Sequence, residues 1–239
     1  AAGEIGTFIQ DPESFSEALT KALTPEVHKD MEGLAGAAPP PPSRPPEESV
    51  LHKCIELFQQ ERYDDAIPIL VKYRHWFPEN QEALYHLAAC HHRKGSVDEA
   101  IPLLEELLKL NQAHVQGGLL LGQIYFQRKD WPSLAVAYEK FRAHLPATDR
   151  KALAQVQGAL GLAYFHQKKY PKALEMLKAA MAINARDLSS AYHLALTYIA
   201  MKDHGSATRI LRALQSNLPP NSQVLKNVED LLQKMEEEG

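Results

Sequence analysis

The sequence predicts an all-α chain: five helical hairpins stacked one on the next as an α-solenoid and closed by a single further helix. Three observations carry that expectation. Laid on itself, the chain repeats: Ala66, Ala100, Leu134, Ala173 and Ala207 fall at equivalent places, 34, 34, 39 and 34 residues apart, and a period in this range marks stacked repeats. The eighth position of every unit is small (Cys54, Ala88, Gly122, Gly161, Ala195), which is what two helices need for their backbones to approach closely. Proline and polar clusters recur at fixed points, and no run alternates apolar and polar residues as a half-buried strand would.

The units follow in order. Glu47 to Asn80 turns at Gln60 to Asp64 and ends on Pro78; Gln81 to His114 turns at Lys94 to Asp98; Val115 to Thr148 turns at Arg128 to Pro132 and ends on Pro146. Each proline stops a helix before the next begins. Asp149 to Leu153 is an insertion, expected to lengthen the first helix of the fourth unit by more than a turn. Ala154 to Asp187 turns at Lys168 to Pro171, and Leu188 to Asn221 turns at Lys202 to Gly205 and ends on Pro219. Position 24 holds Leu70, Leu104, Tyr138, Leu177 and Leu211, and position 11 holds Leu57, His91, Tyr125, Tyr164 and Tyr198; these large side chains are the expected filling between helices. Residues 222–239 carry Leu225, Val228, Leu231, Leu232 and Met235 at helical spacing and then an acidic tail. That is the pattern of a capping helix, which covers the apolar face that a last repeat leaves open.

Residues 1–36 are expected to contain short amphipathic helices. Asp11-Pro12-Glu13 is a helix start, followed by Phe15, Ala18, Leu19, Ala22 and Leu23 on one face, and Thr24-Pro25-Glu26 starts a second. Residues 37–46, Ala-Ala-Pro-Pro-Pro-Pro-Ser-Arg-Pro-Pro, form an extended semi-rigid linker. A helix of this length is marginal alone in water, so Phe15, Leu19 and Leu23 need a surface. Docking on the chain's own solenoid is the favoured expectation, as an extra cap or as a regulatory mimic of a ligand in the groove; contact with a second copy or a separate partner is the alternative.

Composition narrows the function classes. With 45% hydrophobic and 23% charged residues the chain can bury a core. A net charge of −4 and the absence of a basic stripe argue against nucleic acid. The longest apolar run, Gly117 to Gly122, is far short of a bilayer span and holds three glycines. No signal-peptide pattern opens the sequence, giving an expectation of the cytoplasm. Cys54 and Cys90 sit at helical packing positions and read as small buried hydrophobes rather than redox or zinc ligands.

The small eighth residue, aromatic eleventh, alanine twentieth and terminal proline together resemble the tetratricopeptide repeat family. The clearest copies are Leu121-Gly122-Gln123-Ile124-Tyr125 with Pro146, and Leu160-Gly161-Leu162-Ala163-Tyr164 with Ala173. Leu134 departs from the family's alanine, and Gln112 and Ala185 from its proline. The resemblance implies a right-handed superhelix whose concave face is lined by the first helix of each unit. It implies a peptide-binding groove over Leu51, Ile55 and Phe58; Tyr85, His86, His92 and Arg93; Leu119, Leu120, Gln123 and Phe126; Leu162, Phe165 and His166; and Tyr192, His193 and Leu196. That lining, apolar and aromatic with histidines at intervals, suits an apolar or helical segment better than a highly charged ligand. A variant of the family grips chaperone C-termini with Lys, Asn and Arg; here Leu51, Ile55, His86, Gln116 and Leu120 stand at those places, which argues against such a co-chaperone.

No phosphate loop, nucleophile elbow or His-Glu-x-x-His segment is present in the sequence, so the chain is not expected to be an enzyme. No cofactor and no metal are expected: His91 and His92 are adjacent and point to different sides, and no histidine pair is joined by a carboxylate at ligand spacing. The expected function is a non-catalytic interaction scaffold, an adaptor or assembly chaperone with a protein or peptide partner. The alternative is a structural component that self-associates through its convex face or N-terminal helix.

Overall fold

The computed structural model of the chain describes residues 47–220 and 222–237. The segment 1–36 with Phe15, Leu19 and Leu23, and the linker 37–46, lie outside the described residues. The described chain is a succession of helices: α1 (Glu47–Gln59), α2 (Tyr63–Trp76), α3 (Gln81–Arg93), α4 (Val97–Leu110), α5 (Val115–Gln127), α6 (Trp131–His144), α7 (Arg150–His166), α8 (Tyr170–Ile183), α9 (Leu188–Ala200), α10 (His204–Asn217) and α11 (Gln223–Glu237). No strand occurs among the described residues.

Side-chain oxygens or an imidazole cap most helix starts. Asn80 Oδ1 accepts from Ala83 N at 2.9 Å, Asp130 Oδ1 from Ser133 N at 3.1 Å, Asp149 Oδ1 from Ala152 N at 3.0 Å, and Asp203 Oδ1 from Ser206 N at 3.0 Å. His114 does the same for α5 through Nδ1, 3.1 Å from Gly117 N. Each such cap is worth about 1 kcal/mol. The inserted residues behave as the helix extension they suggest: α7 starts at Arg150 and runs 17 residues, against 13 for α3, α5 and α9.

The turn inside each hairpin is the same object five times. The fifteenth residue of each unit has a left-handed backbone: Glu61 (φ 60°), Gly95 (81°), Lys129 (54°), Lys168 (59°) and Lys202 (63°). In every case the next amide closes back over the end of the first helix. Arg62 N donates to Leu57 O, Ser96 N to His91 O, Asp130 N to Tyr125 O, Lys169 N to Tyr164 O and Asp203 N to Tyr198 O, all at 2.9 Å. This is the Schellman closure, which satisfies carbonyls that the helix end leaves open.

Packing follows the register. Positions 20 (Ala66, Ala100, Leu134, Ala173, Ala207) and 24 (Leu70, Leu104, Tyr138, Leu177, Leu211) are buried in all five units. Position 8 accommodates position 24: a Cβ built on Gly122 would stand 1.9 Å from the Tyr138 ring, and one on Gly161 would stand 2.5 Å from Leu177. Position 11 is less uniform, since Leu57 and Tyr164 are buried while His91, Tyr125 and Tyr198 are half-buried. Beyond the fifth hairpin, Val228 and Leu232 of α11 pack on Ala191, Ala195, Leu211 and Leu214, so α11 is the capping helix.

The backbones of first helices also approach one another, α3 with α5, α5 with α7 and α7 with α9, whereas those of the second helices of neighbouring units do not among the described residues. The units are therefore wedged, close on the side of the first helices and splayed on the other. Such wedging makes a superhelix and sets the first helices on its inner face.

Candidate functional site

The inner face is assembled from side chains that reach between units. Position 12 of one unit meets position 6 of the next: Phe58 lies edge-on to His86, with ring centroids 5.4 Å apart, and Phe165 to His193 at 6.1 Å. Position 12 also meets position 17, the first residue of the second helix: Phe58 with Tyr63 at 5.5 Å, Phe126 with Trp131 at 5.6 Å, and Phe165 with Tyr170 at 5.9 Å. Trp131 and His166 stack face to face, 4.2 Å apart and within 9° of parallel. Tyr85 completes one run, touching His86 and His114, and Tyr192 completes the other against His193. Two aromatic and imidazole runs result, one over units one and two and one over units three to five.

The residues expected in the groove divide by exposure. Leu51 and Leu162, each 8% exposed, belong to the packing between helices and present little surface. Ile55, Phe58, Tyr85, His86, His92, Leu119, Leu120, Phe165, Tyr192, His193 and Leu196 are half-buried, while Arg93, Gln123, Phe126 and His166 are exposed. Phe126 is the most open apolar member, at 41%. Around it stand Trp131, a half-buried indole, and the exposed His166, an amphipathic cluster of the kind that anchors a partner. The position-17 aromatics were not among the expected groove residues. Their recurrence at the same place in three units is the signal that points to them.

Burial disfavours the charged form of three of these imidazoles. His86 Nδ1 is buried without a hydrogen-bond partner, and burial lowers the His86 pKa, with Glu82 opposing. Burial likewise lowers that of His193, whose Nδ1 lies 2.9 Å from Ser189 O, and that of His114, whose Nδ1 accepts from Gly117 N. The folded chain thus binds protons less readily than the unfolded chain, for which an ordinary imidazole titrates near about 6.5. Stability is expected to be flat above that value and to fall as the pH drops below it. Urea denaturation between pH 7.5 and 5.5 checks this, and His86→Phe with His193→Phe should flatten the acid-side fall; an unchanged slope in that variant would assign the loss to other groups.

Among the described residues no group of three or more His, Cys, Asp or Glu is placed to hold a metal ion, and no helix is long and apolar enough to cross a membrane. Cys54 and Cys90 are buried free thiols, and burial pushes them up to about 12 and about 11. They are protonated and unreactive near neutrality.

Comparison with known proteins identifies the family. The tetratricopeptide repeat family model matches residues 57–124 and 164–227, together more than half the chain. The BBSome complex member BBS4 homolog of Drosophila melanogaster is 26% identical over 163 residues, 67% of this chain and 32% of that protein. The chain therefore spans about a third of the length of that relative. Solved structures of MamA share the fold: one superposes with a TM-score of 0.63 at 18% identity, covering 71% of this chain and 90% of that one. A MamA structure from Desulfovibrio magneticus RS-1 gives 0.61 at 18% identity, covering 71% and 93%.

Proposed function

Since this chain belongs to the tetratricopeptide repeat family and is a protein-interaction scaffold, we propose that its inner face binds an apolar or helical segment of a partner polypeptide, without catalysing a reaction. The observation that carries this reading is the exposed cluster of Phe126, Trp131 and His166, continuous with Phe165, His193 and Tyr192. Apolar side chains of a ligand gain by leaving water there, and the half-exposed imidazoles and tyrosine hydroxyls supply the hydrogen bonds that fix its register. The face carries few formal charges, so affinity should depend weakly on salt.

The similarity to a protein named as a member of a complex supports a place within a multi-subunit assembly, as an adaptor or assembly chaperone. Affinity capture tests the reading against self-association. A Tyr85→Ala/Phe126→Ala/Phe165→Ala variant is expected to lose a partner that wild type retains, while its sedimentation behaviour stays that of wild type. Retention of the partner, or a change of oligomeric state with no change in capture, would overturn it.

A further inference from the structure

On the splayed side, position 28 of the second helices differs from unit to unit. In unit one it is Arg74, whose guanidinium reaches across to Glu106 of α4 at 2.5 Å. In unit three it is Arg142, which holds Glu139 at 2.8 Å, and Glu139 in turn accepts from the Tyr164 hydroxyl of α7 at 2.8 Å. Arg74 ties the second helices of units one and two directly, whereas Arg142 pairs within its own helix and the bond that crosses from unit three to unit four is that of Tyr164 to Glu139. In unit four the residue is Met181, packed into the apolar clusters on either side of it.

Unit two has Leu108 at this position and unit five Gln215. Arg128, in the turn before α6, pairs with Asp98 at the start of α4; no ion pair joins α4 to α6 themselves among the described residues, and a cleft of about 820 Å³ opens between them, within the roughly 300–1,000 Å³ usual for specific sites. Its floor is Leu121 and Tyr125 of α5, and its walls are Leu108, Val136 and Phe141. Val136 is 60% exposed, a large apolar side chain facing water at the mouth of an apolar cleft. The rim is cationic on balance. Lys109 and Lys140 make no ion pair among the described residues, whereas the one carboxylate lining the cleft, Glu105, is engaged by the Tyr125 hydroxyl at 3.3 Å.

We propose that the cleft between α4 and α6 is a second docking site, which receives the apolar edge of an acidic amphipathic helix from a partner protein. A trough between two helices takes a third helix by its apolar stripe. The unpaired Lys109 and Lys140 select carboxylates on the flanks of that helix and repel a basic one. Placed on the opposite side of the hairpins from the aromatic runs, the site leaves the inner face free, so one scaffold holds two ligands.

The test uses a fluorescein-labelled 16-residue peptide with leucines at i, i+3, i+4 and i+7 spacing and glutamates elsewhere, and a second peptide with lysines in place of the glutamates. Anisotropy titrations should show binding of the glutamate peptide, weakening with added salt, and at least tenfold weaker binding of the lysine peptide. Leu108→Arg rebuilds the arginine of units one and three and should cost at least tenfold. Val136→Glu, at a position too exposed to trouble folding, should do the same. The Tyr85→Ala/Phe126→Ala/Phe165→Ala variant should bind like wild type. Absence of binding, equal binding of both peptides, or loss in the inner-face variant with Leu108→Arg and Val136→Glu unaffected would each overturn the proposal, and none of these results bears on capture at the inner face.

Discussion

Gly122→Ala is expected to destabilise the protein by about 2 kcal/mol, although alanine is the better helix former. The added methyl would stand 1.9 Å from Cε1 and Cζ of Tyr138 and 2.3 Å from its hydroxyl oxygen. That ring has nowhere to go. It is buried beside Leu134, Phe141 and Leu160, and its hydroxyl donates to Leu119 O at 3.3 Å. Overpacking of this kind costs about 1–3 kcal/mol or more, against a propensity gain of about 1 kcal/mol, so the steric cost wins. Tyr138→Leu alone should also destabilise, by about 1–3 kcal/mol, because it leaves a void against the glycine. Together the two changes recreate the Ala88–Leu104 and Ala195–Leu211 pairs, both buried, and should recover most of the loss. Urea denaturation of the four proteins in the cycle measures the coupling, expected at about 2 kcal/mol; simple additivity would show that positions 8 and 24 are not matched as a pair.

Val228→Asp should detach the capping helix. Val228 is 0% exposed and packs with Leu232 on Ala191, Ala195, Leu211 and Leu214, with no cation in that apolar cluster to receive a carboxylate. An unpaired buried charge costs several kcal/mol, more than one amphipathic helix gains by docking, so undocking is the cheaper response. The loss is then capped at the docking free energy of α11, about 3 kcal/mol or less, taking about 1.5–3 kcal/mol for each of the two large buried side chains and deducting the entropy of ordering the helix. Hydrogen exchange is the discriminating measurement. Because each unit contacts only its neighbours, protection should fall in α11 and then in α9 and α10, while α3 to α6 keep theirs. Uniform loss across all units would mean that the array unfolds as one cooperative block.

The fold was legible because the determinants that matter recur. One register of small and large residues at positions 8, 20 and 24 specifies the packing of every unit, and the aspartates that cap α6 and α10 stand at the turns where the polar clusters are. The inner surface was less legible. Leu51 and Leu162 sit at groove positions by spacing, yet the close approach of neighbouring first helices buries them. Trp131 and Tyr170 open the second helices, so a reading confined to first helices passes over them, although they cover Phe126 and Phe165. The open seam at Leu108 was not visible as a site at all. It depends on how α4, α5 and α6 are spaced, and leucine in a helix otherwise reads as core.

The hairpin turns have a consequence for variation in the chain. Four of the five place a charged, non-glycine residue at the left-handed position, where glycine would be expected on steric grounds. The turn persists because main-chain hydrogen bonds hold it and the packed helices on either side fix its ends. A loop secured in that way imposes little on the identity of its tip, so the tips are free to drift while the architecture stays constant. Residues 125–163, which fall between the two family matches, have the same turn geometry at Lys129 as the units that are matched. Unit three thus keeps the family's turn in a stretch that the family match does not cover.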